Sequence, residues 1–332
     1  MCRSAAVAAP VTEVAVEAKA PVSAILALLA TALLWGSNHA AARAIHDALP
    51  LPSLVFWRWA IALVLLLPIA LPGLLRERAA IRRNAGRIAL LGLVGVGLFS
   101  VSLYAGAYLS PALEVGLLNA TTPIWVLLIA TVVGRTRPRL AQIGGILIAM
   151  AGVTLVLMKG LPTGLAVFHF GAGNLCSITA AVLFAFYTYS LGQNPIGISA
   201  LSLTALTALA GFVLVFCPVY AVFLLLGGQD PFTSGLKVEP VTLTVLYIAA
   251  GPTLLGNLFW IYGAARVGAA RAGPFLYFSP LATVALSATL LGEAITPMQM
   301  VGGAAILAGL WISTQAGAGP RRPAPRPSAR PS

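Results

Sequence analysis

Ten long apolar runs, separated by short polar gaps, constrain this chain more than any other feature of its sequence. A helix that crosses a bilayer needs about 20 mostly apolar residues. Only 8% of the 332 residues are charged, whereas a soluble domain carries about a quarter. The sequence therefore predicts an all-α integral membrane protein with ten transmembrane helices. The predicted spans are 22–44, 51–74, 87–109, 111–133, 140–158, 170–192, 199–226, 240–264, 269–291 and 297–315.

The distribution of basic residues predicts the orientation of these spans. Ten spans place both ends of the chain on one side of the membrane. If that side is the cytoplasm, 16 of the 20 Lys and Arg residues lie at cytoplasmic ends, against Arg43, Lys159 and Lys237 outside. Basic residues are retained on the cytoplasmic side during insertion, so cytoplasmic termini are expected. Because the net charge of +12 is spread between spans in this way, no nucleic-acid partner is expected.

The two ends of the chain differ from the apolar spans. Residues 1–21 are rich in Ala, Val and Pro, and residues 316–332 are rich in Pro and Arg. Both are predicted to be disordered tails. The first apolar run is longer than the apolar region of a signal peptide, so we expect it to be retained as a span.

The chain repeats itself. The stretch that begins at residue 110 aligns with the stretch that begins at residue 267, at an offset of 157 that places Pro123 on Pro280. Paired glycines recur further on at an offset of 158. The repeat predicts two five-helix domains, 22–158 and 170–315. Because five is odd, the halves must enter the membrane in opposite senses. Inverted repeats are typical of secondary transporters, whose substrate site lies near the middle of the membrane between the halves.

These motifs resemble the EamA-type family of the drug/metabolite transporter superfamily. The resemblance rests on LLWGSNHAAARAIHDALPLPSLVFWRWAIALVLLLPIAL (33–71), the helices of Pro123 and Pro280, the paired glycines, and LLGEAIT (290–296). It implies ten helices, cytoplasmic termini and efflux of small metabolites by alternating access. The pattern is similar to bacterial inner-membrane exporters of aromatic and other amino acids. The chain departs from the family at Arg135, where the first repeat usually carries Glu.

Polar and aromatic side chains near the middle of the spans are predicted to line a central cavity that binds the substrate. Trp35, Asn38 and His39 share one face of the first helix. For a single Ser or Thr, a hydrogen bond to a neighbouring helix is the alternative role. For His39, cavity lining, an interhelical hydrogen bond and a proton site remain open. The full predicted set is Trp35, Asn38, His39, Ser102, Tyr104, Tyr108, Asn119, Thr122, Tyr187, Asn257, Trp260, Tyr277 and Ser279.

Three prolines are predicted to break helices at this depth. Each of Pro123, Pro252 and Pro280 lacks an N–H group and leaves the carbonyl four residues earlier without its helical partner. Such carbonyls can face a wet cavity and accept from a ligand.

Charged residues inside the spans are few. Arg58 falls within the second span and is expected either to snorkel or to be paired; the resemblance favours a buried pair with Glu114 or a backbone carbonyl. Acidic residues are absent from mid-span, and Glu114 is the nearest candidate for a coupling group, with His39 the other. We therefore expect a carrier that works without obligatory proton coupling.

The sequence contains no constellation that indicates catalysis, a metal or a cofactor. Its three Cys and three His residues lack ligand spacing, so an enzyme is not expected. The expected partners are a small-molecule substrate and the lipid bilayer, with the chain a monomer or weak homodimer. A cavity without charge at mid-span favours neutral amino acids as substrates. The alternative is a multidrug exporter that holds aromatic cations by cation–π contacts.

Overall fold

The computed structural model describes residues 21–45, 47–110, 112–135, 137–158, 170–193, 196–233, 239–282, 285 and 296–316. Every regular element within these ranges is a helix. The predictions for the two tails, for His46 and for residues 286–295 lie outside the described residues.

The described helices are named in chain order. The first seven are α1 (Val22–Ala44), α2 (Leu51–Arg76), α3 (Arg78–Arg83), α4 (Ala85–Leu109), α5 (Ala112–Asn119), α6 (Thr122–Val132) and α7 (Leu140–Leu157). The next three are α8 (Ala172–Gln193), α9 (Ala200–Leu225) and α10, which runs continuously through Glu239–Ile248, Ala249–Leu255 and Gly256–Val267. The last two are α11 (Ala269–Ala272), which continues directly into a 3-10 helix (Gly273–Tyr277), and α12 (Pro297–Ala316).

Seven helical segments among the described residues are long and apolar enough to cross a membrane, and Val22–Asn38 forms a shorter apolar helix. The protein is therefore a multi-pass, all-α membrane protein. The seven segments are Leu51–Arg76, Ala85–Leu109, Val115–Val132, Leu140–Leu157, Ala172–Leu191, Ala200–Leu225 and Pro240–Val267.

Three of the long helices contain a π-helical segment, which widens the helix and shifts its hydrogen bonds. These segments are Leu93–Leu98 in α4, Phe212–Phe216 in α9 and Ala249–Leu255 in α10. In α10, Pro252 cannot donate to the regular hydrogen-bond ladder. At the 157-residue offset of the repeat, Gly95 in the π segment of α4 corresponds to Pro252. Such segments occur frequently at functional sites.

The fourth predicted span is interrupted between α5 and α6. Ala120 and Thr121 form the turn, and Pro123 follows in the first turn of α6. Thr121 Oγ1 donates to the carbonyl of Leu118 at 2.6 Å, and Thr122 Oγ1 donates to the carbonyl of Asn119 at 2.7 Å. The carbonyl that Pro123 leaves without a helical donor therefore accepts from a neighbouring hydroxyl in this conformation.

Glycines bring α7 and α12 into backbone contact. A Cβ atom added to Gly145 would lie 2.6 Å from the Ser313 backbone nitrogen, and one added to Gly152 would lie 2.6 Å from the Gly302 carbonyl oxygen. Real Cβ atoms do not approach so closely, so neither position accepts a side chain without movement of the helices. Small residues at a helix interface are a recurrent packing device in membranes.

The remaining helices interlock the two predicted halves. Helix α1 packs against α10, and α8 packs against α4, so the first span of each half contacts the third span of the other. Helices α2 and α9 also pack against each other. The largest apolar cluster of buried residues lies around Trp59, Phe216 and Ile248, from α2, α9 and α10.

A carboxylate ties the α2–α9 pair together at one end. Glu77 directly follows α2 and accepts from the Ser199 backbone N–H at 3.0 Å and from Ser199 Oγ at 3.4 Å. Ser199 is the N-cap of α9, where its Oγ accepts from the Ser202 backbone N–H at 3.2 Å. The carboxylate also lies where the dipole of α9 favours negative charge.

A second carboxylate ties the other end of the same pair. Asp230, in the connection after α9, is 2% exposed and accepts from the indole N–H of Trp57 in α2 at 2.8 Å. It also accepts from the Tyr220 hydroxyl of α9 and from the Phe232 backbone N–H at 2.9 Å. Together Glu77 and Asp230 hold both ends of the α2–α9 interface.

Gly145 and its neighbour Gly144 provide a matched test of the α7–α12 interface. Gly145→Ala should lower the free energy of unfolding by about 1–3 kcal/mol, because the methyl group meets the α12 backbone. Gly144→Ala should leave stability unchanged or raise it slightly, because no atom lies within 4 Å of the added Cβ. Thermal unfolding of the purified variants in detergent measures both, and equal effects would contradict the assignment of the interface.

Candidate functional site

An aromatic cluster joins the two predicted halves. The ring of Trp35 on α1 lies 5.5 Å from that of Phe184 on α8 and 5.5 Å from that of Trp260 on α10, measured between centroids. Phe184 and Trp260 lie 5.3 Å apart, and Phe99 on α4 lies 4.8 Å from Phe184. Tyr187 is 6.0 Å from Phe184 and buried. These five residues are called the aromatic cluster below.

Helix α1 also supplies hydrogen-bond donors to the irregular part of α10. The indole N–H of Trp35 donates to the carbonyl of Pro252 at 3.0 Å. Thr31 Oγ1 lies 3.2 Å from the carbonyl of Gly256 and 2.9 Å from that of Ala27. Side chains of α1 therefore bond to carbonyls at and directly after the π segment of α10, as a lipid environment requires.

A buried arginine lies at the centre of a polar cluster. Arg58 on α2 is 6% exposed; its Nη1 donates to the Tyr104 hydroxyl at 2.6 Å and its Nη2 to Ser100 Oγ at 3.0 Å. Asn38 Nδ2 donates to the same Tyr104 hydroxyl at 3.0 Å. The guanidinium carbon is 4.5 Å from the centroid of the Tyr104 ring, a cation–π distance. These four residues are called the arginine cluster below.

The side chains that Arg58 contacts are neutral. Its hydrogen-bond partners are two hydroxyl groups, and its Nε atom is buried without a partner among the described residues. The side chain of Glu114, the partner predicted from the resemblance, lies outside the described residues. A snorkelling side chain would reach water, whereas this guanidinium is enclosed between α2 and α4.

The two clusters are neighbours. Trp35 and Asn38 are three residues apart on one face of α1, so roughly 4.5 Å of helix rise separates them. Phe99 and Ser100 are consecutive in α4. The two clusters therefore follow one another along α1 and α4, while Arg58 itself lies on α2.

Three other predicted site residues have bonds outside the two clusters. Tyr108, 40% exposed, donates to the carbonyl of Leu49 at 3.0 Å. Asn257 Nδ2 donates to the carbonyl of Thr253 at 2.7 Å, one turn earlier in α10. Asn119 is half-buried, and its carbonyl accepts from Thr122. These contacts bring none of the three into either cluster.

Most of the remaining predicted residues are buried or half-buried. The hydroxyl of Tyr277 and the indole N–H of Trp260 are buried without a partner among the described residues. Ser102, Ser279 and Pro280 are half-buried. His39 lies in α1, but its side chain is outside the described residues.

The set of site residues predicted from the sequence included neither Ser100 nor Phe184. Ser100 precedes Tyr104 by four residues on α4, so helical spacing places it on the same face as Tyr104 and could have identified it. The described residues contain no group of three or more His, Cys, Asp or Glu side chains able to hold a metal ion.

Two stretches of the chain match one known protein family. Residues 22–158 and, separately, 171–315 match the model of the EamA-like transporter family. The chain belongs to the EamA-like transporter family. It is therefore a multi-pass membrane transporter of small molecules.

Curated relatives of this EamA-like transporter include named exporters. A protein of Streptantibioticus cattleyicolor named a probable terminal-alkyne amino-acid exporter is 29% identical over 92% of this chain and 98% of its own length. A protein of Salmonella typhimurium named a probable amino-acid metabolite efflux pump is 28% identical over 68% of this chain and 77% of its own length.

The fold of the transporter is also similar to a solved one. A crystal structure of a protein 21% identical in sequence matches with a TM-score of 0.71, over 89% of this chain and 97% of that one. At this level of identity the similarity shows the fold alone.

Two buried tyrosines, Tyr104 inside the arginine cluster and Tyr277 outside it, provide a test of whether the hydrogen bonds of the cluster stabilise the protein. Tyr104→Phe should lower the free energy of unfolding by about 1–3 kcal/mol, because it removes the acceptor of Arg58 and Asn38. Tyr277→Phe should be neutral or slightly stabilising, because it removes a buried hydroxyl without a partner among the described residues. Thermal unfolding in detergent compares the two; a more damaging Tyr277→Phe would contradict the hydrogen-bond assignment.

Proposed function

We propose that the chain exports neutral amino acids, aromatic ones included, across the bacterial inner membrane. The observation that carries this proposal is the adjacency of the aromatic cluster to the arginine cluster. Aromatic rings suit an apolar side chain, and buried polar groups suit the charged end of an amino acid. The names of two relatives, a probable terminal-alkyne amino-acid exporter and a probable amino-acid metabolite efflux pump, support the same substrate class.

The proposed mechanism is alternating access between two inverted halves of five helices each, with both termini cytoplasmic. Three observations support it. The family model matches the chain twice, in separate stretches. Helices α1 and α8 pack reciprocally on α10 and α4. The π segments of α4 and α10 fall at corresponding positions of the repeat. We further propose that substrate binds between the halves, near the middle of the membrane.

Transport without obligatory proton coupling is part of the proposal. Proton-coupled carriers often place a carboxylate inside the membrane. The acidic side chains that the structure describes, Asp47, Glu77 and Asp230, all lie in connections between helices. This placement supports a carrier that moves its substrate down the substrate's own gradient.

A second candidate function is export of aromatic cations. The aromatic cluster favours it, since Trp and Tyr rings attract cations. The buried positive charge of Arg58 next to that cluster opposes it, because a second cation would be repelled.

Transport by the purified protein in liposomes tests the proposal and separates the two candidates. Labelled phenylalanine and threonine should be carried with and without a pH gradient, while a quaternary ammonium dye should be carried poorly. Uptake of amino acids that stops without a pH gradient would reject uncoupled transport. Uptake of the dye alone would reject amino-acid export.

Trp35 and Trp311 provide a matched pair for locating the substrate. Trp35→Ala should lower phenylalanine transport at least tenfold, because it removes the ring between Phe184 and Trp260 and the bond to Pro252. Trp311→Ala, at a position 67% exposed on α12, should leave transport unchanged. Both variants should insert equally well. Equal transport by the two would place the substrate elsewhere.

A further inference from the structure

The positive charge of Arg58 is buried, and no negatively charged side chain is among its described contacts. A buried ionised group is costly unless it is paired, and ionisable residues inside membrane spans usually face a partner or a pathway. Here the described contacts of the guanidinium are two neutral hydroxyls and the faces of Tyr104 and Trp59. Hydroxyls accept hydrogen bonds but do not neutralise the charge.

We propose that Arg58 binds the carboxylate group of the transported substrate. The proposal rests on the proposed function and names the group of the substrate that is recognised. Guanidinium groups bind carboxylates through two parallel N–H donors, and such charge-assisted bonds are stronger than neutral ones. The Nε donor, buried without a partner among the described residues, is available for this second bond.

The neighbours of Arg58 complete an anion site. The Tyr104 hydroxyl accepts from Arg58 and from Asn38, and its own proton is donated to Asn38 Oδ1 at 3.4 Å. By rotating, this proton can be donated to an incoming oxygen instead. Ser100 Oγ can do the same. Until a substrate arrives, these hydroxyls hold the guanidinium in place by accepting from it. The helices must part to admit the carboxylate, as alternating access provides.

The aromatic cluster would fix the orientation of the bound substrate. With its carboxylate at Arg58, an amino acid reaches about one turn along α1, from Asn38 to the ring of Trp35. That length is comparable to the separation of the carboxylate and the ring in phenylalanine. The site therefore selects for a free carboxylate next to an apolar group, and an amine alone does not satisfy it.

Ligands that differ only at the carboxylate test the inference on the unmodified protein. Binding of L-phenylalanine, L-phenylalaninamide and 3-phenylpropionate is measured by calorimetry in detergent. The amide should bind roughly 10- to 100-fold more weakly than phenylalanine, the value of one or two charge-assisted bonds. 3-Phenylpropionate, which lacks the amine, should still bind. An amide that binds as tightly as the acid would overturn the inference.

Variants of Arg58 assign the effect to this side chain. Arg58→Gln should abolish the preference for the acid over the amide. Arg58→Lys should retain part of the preference, because lysine keeps the positive charge but lacks the two parallel N–H donors of the guanidinium. Arg266→Gln is the matched control, since Arg266 is exposed and stacks on Tyr262; it should keep the full preference. If Arg58→Gln does not fold, the preference of Arg58→Lys for the acid over the amide tests the inference instead. A variant that folds and keeps the full preference would overturn the inference.

Failure of this inference and failure of the proposed function give different results. If no amino acid is transported but 3-phenylpropionate binds in an Arg58-dependent way, the carboxylate site stands and amino-acid export falls. If amino acids are transported but Arg58→Gln carries them as well as the unmodified protein does, amino-acid export stands and the carboxylate site falls.

Discussion

The interior of a bilayer offers no water to pair with polar groups, and the rest of this structure depends on that constraint. Irregular helix segments persist only where side chains bond to their displaced carbonyls. Trp35 and Thr31 do so for α10, and Thr121 and Thr122 do so at the break before α6. The same constraint makes Arg58 notable, because Nη1 and Nη2 are hydrogen-bonded while Nε and the positive charge have no partner among the described contacts.

The parts of the fold that follow from local pattern could be predicted from the sequence. Apolar runs of about 20 residues locate the helices within a few residues, since helix length is set by bilayer thickness. Helical spacing placed Trp35 and Asn38 on one face, and each contacts a residue that was also predicted, Trp260 and Tyr104. Glycines seven residues apart, such as Gly145 and Gly152, are a sequence signal for the close approach of a neighbouring helix, which the structure shows.

The parts that depend on distant contacts could not be predicted. Arg58 lies 42 and 46 residues from its hydroxyl partners, and Trp57 lies 173 residues from Asp230. No periodicity within one helix encodes such pairs. The π segments were also missed, because Gly and Pro in an apolar run mark a weak point in a helix without specifying how its hydrogen bonds shift.

The two carboxylates at the ends of the α2–α9 pair have a mechanical consequence. Glu77 belongs to the first half and bonds to the beginning of α9, whereas Asp230 belongs to the second half and bonds to the beginning of α2. Because the helices run antiparallel and are fastened at both ends, they can neither slide along each other nor splay apart without breaking one of these attachments. While both hold, motion of α2 relative to α9 is confined to rotation about the common axis of the pair.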